Sequence, residues 1–152
     1  MSETQRELFC ILVPLGSGKL ILPRSLIEEV RSLGVPEPVE GMPPWVLGRV
    51  RWRGNPIPLV AVEPLLGVQI PERSRRSRMV IVRTPEGTLA SGVMGILAQG
   101  FPYILRVTPE LLKRAVAPEN ENILAEIALG RERPVVPDLP ALAAETARLF
   151  AA

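Results

Sequence analysis

The chain has 152 residues, about the size of one domain, and 47% of them are hydrophobic, enough to bury a core. Its net charge is only +2 and it has no histidine, which argues against a general nucleic-acid binder and removes Ser-His-Asp and Cys-His catalysis, histidine-metal sites and phosphohistidine. Asp138 is the only aspartate and Cys10 the only cysteine, so a receiver-type acidic pocket, an internal disulfide and a multi-cysteine metal site are excluded as well.

The 17 prolines and 12 glycines argue against a helix bundle and for short strands separated by turns. The first residues, MSETQRE, are polar without a signal-peptide pattern, and no apolar run approaches the roughly 18 residues of a membrane span, so the expected compartment is the cytoplasm. Leu8 to Leu15 and Lys19 to Leu22 predict two strands joined at Gly16-Ser17-Gly18. Cys10, inside the first, is expected as a buried, inert thiol. With Lys19 the glycine turn has the look of a phosphate loop, but Val13 stands where the first glycine belongs and Leu20 where Ser or Thr belongs. Leu26, Ile27 and Val30 fall at helical spacing, which predicts one or two helical turns over Ser25 to Ser32. Val35 to Pro44, with four prolines and a glycine, predicts an irregular crossing segment.

Trp45 to Trp52 alternates, with Val46, Val50 and Trp52 on one side of a strand and Leu47, Arg49 and Arg51 on the other. Arg53-Gly54-Asn55 turns the chain, since glycine and asparagine tolerate positive φ. Ile57 to Val62 is an apolar run suited to a strand covered on both faces, and Pro64 fits the first turn of a short helix ending near Gly67. Arg49, Arg51 and Arg53 form either a solvent-facing barrel surface or a protein-binding edge. Glu28 and Glu29 are the nearest acidic candidates to pair with them, and Glu63 is expected to cap or solvate the turn after its strand.

Pro71 to Arg78, with four arginines and two serines, reads as a solvated loop, and without interleaved aromatic residues it is a weak nucleic-acid candidate. Met79 to Arg83 and Thr88 to Met94 predict a hairpin turned by Pro85-Glu86-Gly87. Ile96 to Val107 is a strand interrupted at Gly100 and Pro102. Thr108-Pro109-Glu110 starts a helix that ends before Pro118. Ile123 to Leu129 and Pro134 to Val136 pair across residues 130–133. A C-terminal helix follows over Leu139 to Phe150, with Leu139, Leu142, Leu149 and Phe150 as its apolar stripe. Many short strands and few helices read as one or two small antiparallel barrels.

Gly48-Arg49-Val50-Arg51-Trp52-Arg53-Gly54, then Ile57-Pro58-Leu59-Val60, Glu63 and Leu65-Leu66-Gly67, resemble the CheW-like domain. That family shows a glycine-hydrophobic strand ending in Arg-Gly, an Ile/Val-Pro-hydrophobic strand, an acidic residue and a short leucine-glycine helix. Looser matches extend over most of the chain. Ile27-Glu28-Glu29-Val30 follows the opening hairpin, and Met79 to Arg83 resembles the family's valine-rich strand. Val93-Met94-Gly95-Ile96 resembles its Val-Asp-Gly-Val turn, with methionine for aspartate, and Val135-Val136-Pro137-Asp138 its closing strand.

The resemblance implies an all-β fold of two packed five-stranded antiparallel β-barrels with short helices and a C-terminal helix. The whole chain would be one domain of two intertwined barrels, one spanning approximately residues 20–78 and the other the remainder. It further implies a non-catalytic adaptor, without cofactor or metal, that bridges a methyl-accepting chemoreceptor and the regulatory domain of a CheA-type histidine kinase. It would be recruited from the cytoplasm to membrane-associated receptor arrays. On that likeness Glu29 and Arg53 form a pair needed for coupling, with Gly54, Arg49 and Arg51 on the same kinase-facing edge, while Val35, Val39 and Ile96 line a groove for receptor helices. Trp45 and Trp52 give the central strand a likeness to members from pilus or surface-motility systems. The alternative is a β-barrel interaction module for another motility or regulatory protein outside such an array.

Overall fold

The computed structural model describes residues 8–151, so the polar start at residues 1–7 lies outside it. The strands are β1 (Leu8–Pro14), β2 (Lys19–Pro23), β3 (Ile27–Ser32), β4 (Val46–Trp52), β5 (Asn55–Val60), β6 (Arg78–Arg83), β7 (Val93–Ala98), β8 (Tyr103–Val107), β9 (Ala115–Val116), β10 (Ile123–Ile127) and β11 (Val135–Pro137). Two helices, α1 (Pro109–Leu112) and α2 (Leu139–Ala151), complete the fold.

The strands form two sheets, a six-stranded one in the order β8-β1-β2-β11-β10-β9 and a five-stranded one in the order β3-β6-β7-β5-β4. The expected all-β architecture of two packed β-layers with short helices and a C-terminal helix holds; within it one sheet has six strands rather than five, and β2 meets β11 in parallel, as β5 does β7. In each case the two strands are far apart in sequence, so no hairpin dictates their direction. Strands from Ile27 to Ala98 make the five-stranded sheet, and the two flanking stretches of chain together make the other.

Three apolar clusters fill the layers. Ile57 and Leu59 of β5 pack with Val50, Trp52, Met79, Ile81 and Val93 inside the curl of the five-stranded sheet. The opposite face of that sheet gives Val60, Val80, Val82, Met94 and Ile96 to a larger core, shared with Val13, Leu20 and Leu22 of the six-stranded sheet and with Leu139 and Leu142 of α2. Cys10, Leu12, Ile21, Val107, Leu111 and Ile127 form a third cluster on the far side of β1 and β2. This two-sided burial is why β5 reads as an unbroken apolar run.

Helical turns over Ser25 to Ser32 are a misreading. A single 3-10 turn spans Arg24–Leu26, and β3 begins at Ile27. A bulge between Ile27 and Glu29 shifts the register against β6, so Ile27 and Val30, three residues apart, both pack against the large core. The bulge imitates helical periodicity. The hairpin after β6 has a longer turn than expected, with the Thr84 amide donating to the Gly92 carbonyl at 2.9 Å. Val93-Met94-Gly95-Ile96 is consequently strand rather than turn, and Met94 is fully buried. α1 is capped by Thr108, whose Oγ1 accepts from the Leu111 amide at 3.2 Å, but it is a single turn. α2 starts as expected beside Asp138, which accepts from the Ala141 amide at 3.0 Å.

Candidate functional site

The five-stranded sheet curls until its edge strands, β3 and β4, face each other across a seam. The crossing segment after β3 returns along β4. Glu37 and Arg49 exchange backbone hydrogen bonds of 2.8 and 2.9 Å there. Gly48 makes this approach feasible: its φ is +135°, and a Cβ on it would lie 2.1 Å from the Glu37 carbonyl oxygen.

At the tip of the β4–β5 hairpin Trp52 pairs with Asn55, leaving Arg53 and Gly54 as the turn. Both carry positive φ, 48° and 79°, the primed-turn geometry that matches strand twist. The strained non-glycine position is therefore Arg53, not Asn55 as the glycine-asparagine argument implied. The Arg51 Nη1 group donates to the Gly54 carbonyl at 3.0 Å and braces the turn. The Arg53 guanidinium stacks on the Trp52 ring at 4.4 Å, and its Nη2 lies 4.0 Å from Glu29 Oε1.

Glu29 is the hub of the seam. Trp52 Nε1 donates to its Oε1 at 3.4 Å, and Arg31 Nε lies 3.2 Å from its Oε2. The Trp52 body is buried in the curl, whereas the Arg53 side chain is 63% exposed. The result is a cation presented to solvent on a rigid aromatic support, with one carboxylate beneath it. Glu28 does not join this group; it pairs with Arg83 at 3.4 Å.

Arg49 turns to the C-terminal helix, its guanidinium 4.9 Å from the Phe150 ring. With Arg51, Glu37 and Val35 it also lines a concavity of about 320 Å³. Val35 is 83% exposed and Val39 half-buried. Ile96 is different. It lies on the central strand β7, between Val80 and Val60, with no exposed surface, so it supports the core beneath the surface and does not line a groove.

Glu63 is also placed differently from the sequence expectation. Instead of meeting solvent it is fully buried between the two sheets. Its Oε2 accepts from the Gly16 amide at 3.1 Å and from Gln99 Nε2 at 3.2 Å, while Oε1 is buried without a partner. A carboxylate inside the apolar stretch Ile57 to Leu66 was the available signal. Cys10 is buried as expected, and burial pushes its thiol above the ordinary range. Among the described residues no group of three or more His, Cys, Asp or Glu is placed to hold a metal ion, and no helix is long and apolar enough to cross a membrane.

The model of the CheW-like domain matches residues 10–147. The chain belongs to the CheW-like domain family. CheW-like domains are non-catalytic scaffolds, which agrees with a site made of an arginine, a tryptophan and a glutamate without a reactive centre. The fold is similar to that of scaffolding protein TtCheW from Thermoanaerobacter tengcongensis, with a TM-score of 0.74 at 13% identity over 91% of this chain and 89% of that one. A comparison with curated proteins found no match. Within the CheW-like motif, Arg-Gly is the positive-φ turn and the acidic residue is the buried Glu63.

Proposed function

We propose that this CheW-like domain couples a chemoreceptor to a CheA-type histidine kinase in a cytoplasmic chemosensory array. The reading rests on Arg53, an exposed cation held at φ 48° on the Trp52 ring beside Glu29. A side chain kept in a strained backbone conformation and pre-positioned on an aromatic plane loses little freedom when a partner carboxylate or carbonyl meets it. Gly54 and Arg51 hold the tip, and Arg49 continues the basic edge. Val35 and Val39, on the neighbouring crossing segment, offer apolar surface to receptor helices. The tryptophan-flanked β4 favours a system controlling type IV pili or surface motility.

The test is calorimetric titration of the purified domain with the regulatory domain of a CheA-type histidine kinase from the same organism. Arg53→Glu is expected to weaken binding about tenfold or more, with an unchanged circular dichroism spectrum. Wild-type affinity in that variant would remove Arg53 from the interface.

A further inference from the structure

The loop from Arg73 to Arg78 has no aromatic residue interleaved in sequence, but the fold brings one to it. The Arg78 guanidinium lies 4.2 Å from the centroid of Phe101, which is 65% exposed. The loop is also built rather than slack. Arg73 donates to the carbonyls of Leu33 and, at 2.8 Å, Gly34. Arg78 Nη1 donates to those of Arg75 at 2.7 Å and Ser77 at 2.9 Å. The Ser74 amide donates to Ser77 Oγ at 2.9 Å, and the Arg76 amide to Ser74 Oγ at 3.1 Å.

Two arginines thus hold the loop in shape while Arg75 and Arg76 stand exposed. Among the described residues the side chains of these two make no ion pair or hydrogen bond, and none of the four pairs with a carboxylate. Four arginines within residues 73–78 concentrate positive charge on this loop, which an anion or water relieves. Concavities flank Arg78 on both sides. One, of about 480 Å³, lies between Ser32, Leu33 and the loop arginines. The other, of about 330 Å³, is lined by Pro14, Arg76, Arg78, Gln99, Gly100 and Phe101.

We propose that this surface docks an acidic segment of a partner protein, its carboxylates at Arg75 and Arg76 and an apolar side chain seated against Phe101 and Pro14. A nucleic-acid strand fits less well, because it calls for a track of cations and serial stacking rings where this surface has one short loop and one ring. No residue is shared with the Glu29–Arg53 site, so the failure of either reading leaves the other standing.

Fluorescence anisotropy with a short labelled glutamate–leucine peptide tests it, beside a glutamate–serine peptide, a labelled DNA duplex and phosphatidylglycerol vesicles. The wild type is expected to bind the glutamate–leucine peptide best. Arg75→Glu with Arg76→Glu should weaken that binding at least about tenfold, and the milder Arg75→Ala with Arg76→Ala should fall between. Phe101→Ala should weaken the leucine peptide about threefold or more and leave the serine peptide unchanged. Undetectable peptide binding, equal binding by the double charge reversal, or tighter binding of the duplex or the vesicles would overturn the proposal.

Discussion

Arg53 and Gly48 show two opposite uses of unusual backbone. At Arg53 the left-handed conformation disfavours a side chain by about 1 kcal/mol, and asparagine is the better residue before glycine in such a turn. The contacts that offset this are comparable: about 0.5–1 kcal/mol for an exposed cation over a ring, and less for an ion pair at 4.0 Å. Arg53→Asn is therefore expected to leave stability within about 0.5 kcal/mol of wild type in urea denaturation, and, on the proposed function, to weaken binding of the kinase regulatory domain about tenfold. A parallel loss of stability would mean that the tip belongs to the core. Gly48 has no such latitude, since a methyl group there meets a backbone oxygen at 2.1 Å. Gly48→Ala should cost about 3 kcal/mol or more, because both the strained φ and the Glu37–Arg49 bridge are affected. Gly54→Ala, at φ 79° in open space, should cost only about 1 kcal/mol, and the same denaturation series separates the two.

Among the elements, the stretches free of bulges were legible. The alternation from Val50 to Trp52 and the apolar run of β5 name their buried faces correctly, whereas a bulge between Val46 and Gly48 sends Val46 to the large core and Leu47 to the cluster that holds Val50 and Trp52. The caps at Thr108 and Asp138 mark both helix starts. β3 was not legible, because its bulge places Ile27 and Val30 on one face at a spacing that belongs to helices. The partition into sheets was hidden for another reason: local patterning carries no record that β11 pairs with β2. Glu63 escaped likewise, since its partners Gly16 and Gln99 lie far away in sequence. The stripe on α2 supports a firm expectation. Leu142 is nearly buried in the large core, so Leu142→Ala should lower stability by about 2–4 kcal/mol in the same denaturation assay. A change below about 1 kcal/mol would show that the helix is only loosely docked.

For the molecule as a whole, the contact between the sheets is largely apolar, and Glu63 is the buried polar link across it. Glu63→Ala would leave the Gly16 amide and the Gln99 side chain without their acceptor, a loss of about 2–4 kcal/mol. Glu63→Gln keeps an oxygen for both donors and should stay within about 1 kcal/mol, so the pair of variants distinguishes acceptor geometry from mere volume. Cys10 offers an independent view of the smaller cluster. Buried, and with its thiol held in the protonated form, it should react with a thiol reagent only at the rate at which the domain opens. Prompt labelling of the native protein would show that this cluster is open.

The six-stranded sheet begins with residues 8–23 and is completed only by residues 103–137, with the whole five-stranded sheet in between. During synthesis β1 and β2 therefore leave the ribosome first and meet β8 and β11 last. The strands from Ile27 to Ala98 can curl around their own apolar interior while Leu12, Val13, Leu20 and Ile21 still wait for cover. The parallel closure of β11 on β2, a long-range contact of the slow kind, is then the event that ends the hairpin's exposure to other chains.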